Sequence, residues 1–328
     1  MPHDLDITTG QAAMAYAGQT PWHGLGQELP SGRPIEEWLN AARLDWELQR
    51  LPVQYHAESK LLTMSDRFVL ARSDNHLALS VVSGDYNVVQ PKEVLEFYRH
   101  LVSVGGFELE TAGALNEGRK VWALARTNFN SKLSKDGKDE LRAYLLLATS
   151  CDKTLATTAA FTSVRVVCQN TLNMVIKEDG RGPRRHLKVP HTKQFDPKAV
   201  KAELGLLQPT WNGFLADVNK LVEFKVNQQL ASSMIADLLR PKPDKPLSPR
   251  GQREHGTILS LFKSAPGQDL ATSKETGWGL VNAVTYYADH VRAGSRDKRL
   301  DSAWFGSSAA LKDKAWAAVS AAADPKAN

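Results

Sequence analysis

The hydrophobic period of this chain changes several times along its length. Over residues 34–46, Ile35, Trp38, Leu39 and Ala42 recur at helical spacing behind Pro34, which suits a first helical turn. Extended runs follow at 53–55, 67–72 and 77–82. From Pro91 the helical stripe returns in Val94, Phe97, Tyr98, Leu101 and Val102, and Gly105 and Gly106 end it. The period then drops to two. Residues 107–127 give two strands about a turn at Asn116, Glu117 and Gly118, and 141–150 a third. Cys151, Asp152 and Lys153 make a tight connection to an alternating run at 154–163. Residues 164–177 read as an amphipathic helix.

The last third is predicted helical. Asp196 and Pro197 form a cap and first-turn pair, Pro209 is expected to kink or break the helix they open, and Asn227 caps another. Four prolines in 241–249 predict a stiff exposed linker, and Ser248–Pro249 opens a further helix. Helices are also expected at 276–294 and 309–323, and there is no internal repeat. The fold class expected is α+β: an antiparallel β-meander with helices packed on one face, followed by a helical C-terminal region. The expected division is a mixed N-terminal region (1–86), a basic meander and helix core (87–195) and a helical region (196–328).

At 328 residues, 42% hydrophobic and 23% charged, the composition is that of a soluble globular protein. No apolar run approaches the roughly 20 residues of a membrane span. The N-terminal residues lack the regions of a signal peptide, and two cysteines fit a reducing compartment, so a cytoplasmic location is expected. The net charge of +5 conceals an asymmetry. Residues 1–118 carry 8 Lys/Arg against 16 Asp/Glu, residues 119–200 carry 16 against 7, and residues 201–328 carry 17 against 13. The central block therefore holds the positive field, which would attract a polyanion such as nucleic acid. A solvated basic surface without a partner explains the same charge.

On a helix over 164–177, Arg165, Gln169, Asn173 and Lys177 form one polar row. Val164, Val167, Cys168, Thr171, Leu172 and Val175 form the opposite, core-facing stripe, where Cys168 would be an inert buried thiol. The polar row is either solvent-exposed or a nucleic-acid surface, with the cations on phosphates and the amides on sugar or base edges. A basic loop with Arg181, Arg184, Arg185, Lys188 and Lys193, together with His186 and His191, follows as a clamp on a strand backbone or a solvated loop. Arg119, Lys120, Arg126, Arg142 and Lys153 on the adjoining strands would extend the path. Trp122 and Tyr144 are stacking candidates whose ordinary place is the core. Asp289 and His290 lack further ligands at metal-binding spacing, and no metal or cofactor is expected. Asn282, Thr285 and Asp289 share a helix face, which reads as a buried polar network. There is neither a phosphate-binding Gly-x-x-x-x-Gly-Lys loop nor a Gly-x-Ser-x-Gly elbow.

Six strings occur in order: PWHGLG, DYNVVQ, TAGALNEGRKVWALA, RVVCQNTL, RHLKVPHT and TGWGLVNAVTYYADHVR. With these the chain resembles the phage/plasmid-like family of bacterial mobile elements, a domain-of-unknown-function family, over about residues 20–316. The resemblance implies a mobile-element context and no established chemistry. The meander-then-helix order with a basic groove is also similar, by fold analogy alone, to Redβ/RecT-type single-strand annealing proteins. That similarity implies a non-enzymatic protein that holds single-stranded DNA for annealing and assembles into a homo-oligomeric ring or filament, with no membrane partner. The rivals are a metal-dependent nucleic-acid-modifying enzyme using Asp289, His290 or His191, and a protein-interaction module acting on a host factor.

Overall fold

The computed structural model describes all residues except 1–4, 8–9, 19–20, 22–23, 175, 179–180, 185, 197, 199–206, 243–244, 293–298 and 325–328. For 100, 103–105, 176–178, 181–184 and 299–301 the backbone alone is described. In chain order the first elements are β1 (Met14–Ala17), β2 (Gln27–Leu29), α1 (Ile35–Ala41), β3 (Leu48–Ala57), β4 (Lys60–Arg72), β5 (Ala78–Ser83) and α2 (Pro91–Gly105). The meander follows with β6 (Glu108–Leu115), β7 (Lys120–Lys132), β8 (Glu140–Ser150), β9 (Thr157–Arg165) and β10 (Asn170–Asn173). Three short strands, β11 (Ile176–Glu178), β12 (Arg181–Arg184) and β13 (Leu187–Val189), precede the helices. These are α3 (Leu207–Glu223), α4 (Gln228–Leu239), α5 (Pro249–Ser264), α6 (Gly277–Tyr286), α7 (Arg299–Trp304) and α8 (Ser307–Ala323).

The expected α+β class holds. The main sheet runs β10-β9-β8-β7-β6-β1-β2, with β13 also on β9, so β6 to β10 form the meander. β11–β12 and β3–β4–β5 are separate sheets. The residues fall into two compact units: Met1–Asn128, Tyr144–Phe161 and Arg184–Gly205, and Phe129–Ala143, Thr162–Pro183 and Leu206–Asn328. β7, β8 and β9 each contribute to both.

In the first unit, α2 buries Val94, Leu95, Phe97 and Tyr98. The Tyr98 hydroxyl lies 2.9 and 3.0 Å from the carbonyls of Ala123 and Leu145, which seats the helix on β7 and β8. The Glu93 carboxylate accepts from the Gln90 amide at the helix start, and Gly106 at φ 67 ends it. At the other side of this unit Arg72, 1% exposed, stacks 4.3 Å over Trp46. It pairs with Asp6 and Asp74 and donates to the Glu117 carbonyl. Burial opposes the guanidinium charge, but the hydrogen bonds and charges of the two aspartates outweigh it and raise the Arg72 pKa. Gly118 turns the chain beneath it at φ +94; a Cβ there would sit 2.9 Å from Arg72 Nη1.

The second unit is built around α6, which is buried on all sides from Gly277 to Thr285. Thr276 caps it by accepting from the Gly279 amide. Glycine at 279 answers to crowding, since a Cβ would lie 1.9 Å from the Ser273 carbonyl. Phe214 of α3 stacks on Trp316 of α8 at 5.2 Å between centroids.

Several local expectations are corrected. The helix expected over 164–177 is absent: residues 166–169 form a turn between β9 and β10, which pair as a hairpin from Arg165↔Asn170 to Thr162↔Asn173. Buried Asn170, Leu172 and Met174 alternate with half-buried Thr171 and Asn173, a period of two that the i+4 reading overlooked. The helix over 34–46 stops at Ala41, because Arg43 takes a left-handed φ of 54. Pro209 lies near the start of α3 as described; the helix expected to open at Asp196 and Pro197 and to meet it there lies mostly outside the described residues.

Candidate functional site

The β9–β10 hairpin places its polar residues inside the second unit. Arg165 is 1% exposed and Asp139 fully buried. The guanidinium donates to Asp139 through Nε (2.7 Å) and Nη2 (2.8 Å), and Nη2 also reaches the Gly267 carbonyl (3.2 Å) and Ser273 Oγ (2.7 Å). The Arg165 guanidinium lies 5.6 Å from the centroid of the Trp278 ring. Arg165 was expected on a phosphate-binding row; it is a core residue, inaccessible to a polyanion, because a carboxylate compensates it internally.

The neighbouring residues continue the network. Asn170 Nδ2 donates to the Asn282 carbonyl and to Asn282 Oδ1 (3.0 and 3.1 Å). The Thr171 amide and hydroxyl donate to Asp289 Oδ2 (2.9 and 3.1 Å). Lys312 of α8 reaches Asp289 Oδ1 (2.7 Å), the Thr171 carbonyl (2.9 Å) and Thr171 Oγ1 (3.0 Å). Each proton of the buried ammonium has an acceptor, and both oxygens of Asp289 are engaged. Asn282, Thr285 and Asp289 are all buried, so the face they share is the internal polar network expected of it. The strings RVVCQNTL and TGWGLVNAVTYYADHVR thus meet in one buried network.

The other expected contact residues are dispersed. Gln169 closes the β9–β10 turn at φ 53, with its amide 2.8 Å from the Arg165 carbonyl. Asn173 lines a cavity of ≈ 130 Å³ with Thr210, Phe214, Asp217 and Trp316. Arg126 pairs with Glu108, Arg142 with Glu140 (2.8 Å) and Arg119 with Glu117 (2.6 Å). Lys120 is half-buried. Trp122 and Tyr144 are core residues. The side chains of Lys177, Arg181 and Arg184, and all of Arg185, lie outside the described residues.

Three exposed cations of the first unit lie on or next to the β9–β13 strand pair. His191 stacks on Tyr86 at 4.5 Å, with Nδ1 3.0 Å from the Asn87 carbonyl and Nε2 3.1 Å from the Leu155 carbonyl. Asn87 in turn donates to the His191 carbonyl. This clasp fixes the segment bearing Lys188 and Lys193 beside the β8–β9 turn, where Lys153 sits at φ 68. β13 adds to the fixing by pairing Lys188 with Thr158. Lys153, Lys188 and Lys193 are exposed. In the second unit, sequence reasoning missed Lys132, Lys135 and Lys138, all exposed about the β7–β8 turn. Their signal was the three-residue spacing in SKLSKDGKD.

An open groove of ≈ 600 Å³ lies between α4 and α5, lined by Gln228, Gln229, Ser232, Ser233, Arg240 and Leu259. Among the described residues, no group of three or more His, Cys, Asp or Glu is placed to hold a metal ion. No helix among them is long and apolar enough to cross a membrane.

No curated protein and no solved structure matches the chain significantly. A family profile described as "Domain of unknown function (DUF932)" matches residues 78–316, from β5 to α8, and includes both the His191 clasp and the Arg165 network. With more than half of its length matched, the chain belongs to the DUF932 family.

Proposed function

We propose that this DUF932 protein binds single-stranded nucleic acid through its phosphates, as an ATP-independent annealing protein of a phage or plasmid acting in the host cytoplasm. One observation carries the reading. The His191 clasp and the β9–β13 pairing hold the segment with Lys188 and Lys193 along the one that carries Lys153, and all three lysines are exposed without an ion pair among the described residues. Lysines in that state release counterions when they meet phosphate, and that is the main driving force for binding without base choice. Arg126 of the same unit is partly exposed and paired with the exposed Glu108, a surface pair that exchanges its partner for phosphate at small cost. Arg165 takes no part.

Fluorescence anisotropy with labelled single-stranded and duplex oligonucleotides tests this. With about three phosphate contacts, single-strand affinity should fall roughly 20-fold between about 50 and 200 mM salt. The Lys153→Glu/Lys188→Glu/Lys193→Glu variant should bind at least tenfold more weakly than wild type. No anisotropy change at about 50 mM salt, at protein concentrations of order 100 μM where even non-specific binders register, would rule the reading out.

A further inference from the structure

On α3, Thr210, Gly213, Phe214 and Asp217 recur at i, i+3, i+4 and i+7, so one face of the helix carries all four. That face, with Trp316 of α8 and Asn173 at the end of β10, lines the cavity of ≈ 130 Å³ in the second unit. The lining is graded. Thr210, Phe214 and Trp316 are buried, whereas Pro209, Asn173, Gly213 and Asp217 reach solvent. Aromatic rings form the floor and polar groups the mouth, which is the ordinary build of a small-molecule site. Two further features point to an occupant. The Thr210 hydroxyl is buried without a hydrogen-bond partner, a cost that a bound polar group would remove. A Cβ on Gly213 would meet nothing within 4 Å, so the glycine leaves the mouth open where an alanine would suit the helix better.

We propose that this cavity takes a single pyrimidine base, and cytosine in preference to uracil or thymine. Size sets the ring count. A cavity of about 150 Å³ admits benzene, so this one holds one six-membered ring and not a fused purine. A planar base packs against the indole of Trp316, a contact that tolerates any ring. The pyrimidine O2 accepts from the Thr210 hydroxyl. The half-buried Asp217 carboxylate is only loosely paired with the exposed Lys220, at 3.8 Å. It accepts from the N4 amino group of cytosine and repels the O4 of uracil or thymine. The Asn173 amide offers both a donor and an acceptor to the rest of the base edge. The choice of a base rests on the single-strand reading above. Nucleosides carry no phosphate, however, so the two proposals fail separately.

Saturation-transfer NMR of the full chain with cytidine, uridine and adenosine tests this. Cytidine should bind saturably and about fivefold more tightly than uridine, with adenosine weaker still. Gly213→Leu fills the cavity from its open position and should abolish cytidine binding. It should unfold no lower than wild type, because a good helix former replaces a helical glycine. Asp217→Asn should bring cytidine and uridine to equal affinity. Should Gly213→Leu fail to fold, the Asp217→Asn comparison decides alone. Absence of saturable cytidine binding up to about 10 mM, where even a Kd of ~1 mM saturates, would overturn the proposal. So would equal affinity of wild type for the three nucleosides, or cytidine binding that survives in folded Gly213→Leu. If cytidine binds as described while oligonucleotides do not, the cavity proposal stands and the single-strand reading falls.

Discussion

Asp139 has no accessible surface and receives three donors: two from the Arg165 guanidinium and the Thr272 hydroxyl. Taking the carboxylate away leaves a buried guanidinium uncompensated, which is the expensive way to break such a pair. Asp139→Ala is therefore expected to lower unfolding free energy by about 3–5 kcal/mol in urea titrations. Replacing both partners, as Asp139→Leu/Arg165→Met, should lose distinctly less than the sum of the single losses, because no orphaned charge remains. The same reasoning explains why residue identity misled the sequence reading. An arginine amid polar neighbours resembles a surface contact until its aspartate, 26 positions earlier, is seen to be buried with it.

At the scale of elements, the β9–β10 turn separates two readings of Gln169. A non-glycine residue at φ 53 carries a backbone penalty of about 1 kcal/mol. If its role is to close the turn, Gln169→Gly should hold or raise stability, whereas Gln169→Val should lower it by about 1 kcal/mol or more; thermal unfolding distinguishes them. Oligonucleotide affinity should be unchanged in the glycine variant. Long periodic elements were legible in the sequence: the α2 stripe, the strands of the meander and the helices opened by Asn227 and Ser248 appear. The β9–β10 hairpin was not, since Val164, Val167, Cys168 and Leu172 satisfy a helical stripe while the buried set actually alternates. The extent of the β3–β4 ribbon was also hidden, because its two-residue turn at Glu58 and Ser59 uses neither glycine nor asparagine. For the site, sequence supplied the charges but not their pairing. Lys153 and Lys188 kept their exposure, whereas Arg126 and Arg165 met carboxylates that only the fold brings near.

For the molecule as a whole, both thiols are enclosed, and this sets a limit on alkaline stability. Burial pushes the Cys151 thiol up to about 12 and the Cys168 thiol up to about 11. In the unfolded chain each ionises near about 8.5. Folding therefore favours the protonated form: the contribution is complete below that value and declines as pH rises toward 11. Between pH 8 and pH 10 the loss from the two thiols should be on the order of 2–4 kcal/mol. Urea titrations at both pH values should show a smaller drop for Cys151→Ala/Cys168→Ala than for wild type.

The irregularity in β4 is also a joint. Between Met64 and Phe68 its register with β3 shifts, and Ser65, Asp66 and Arg67 have no partner on β3. The outer ribbon, Val53–Ala57 with Lys60–Met64, is thereby set off from the three-stranded root, where Leu70 and Val82 are fully buried. Hydrogen exchange should register the division as faster exchange of the ribbon's amides than of those at the root.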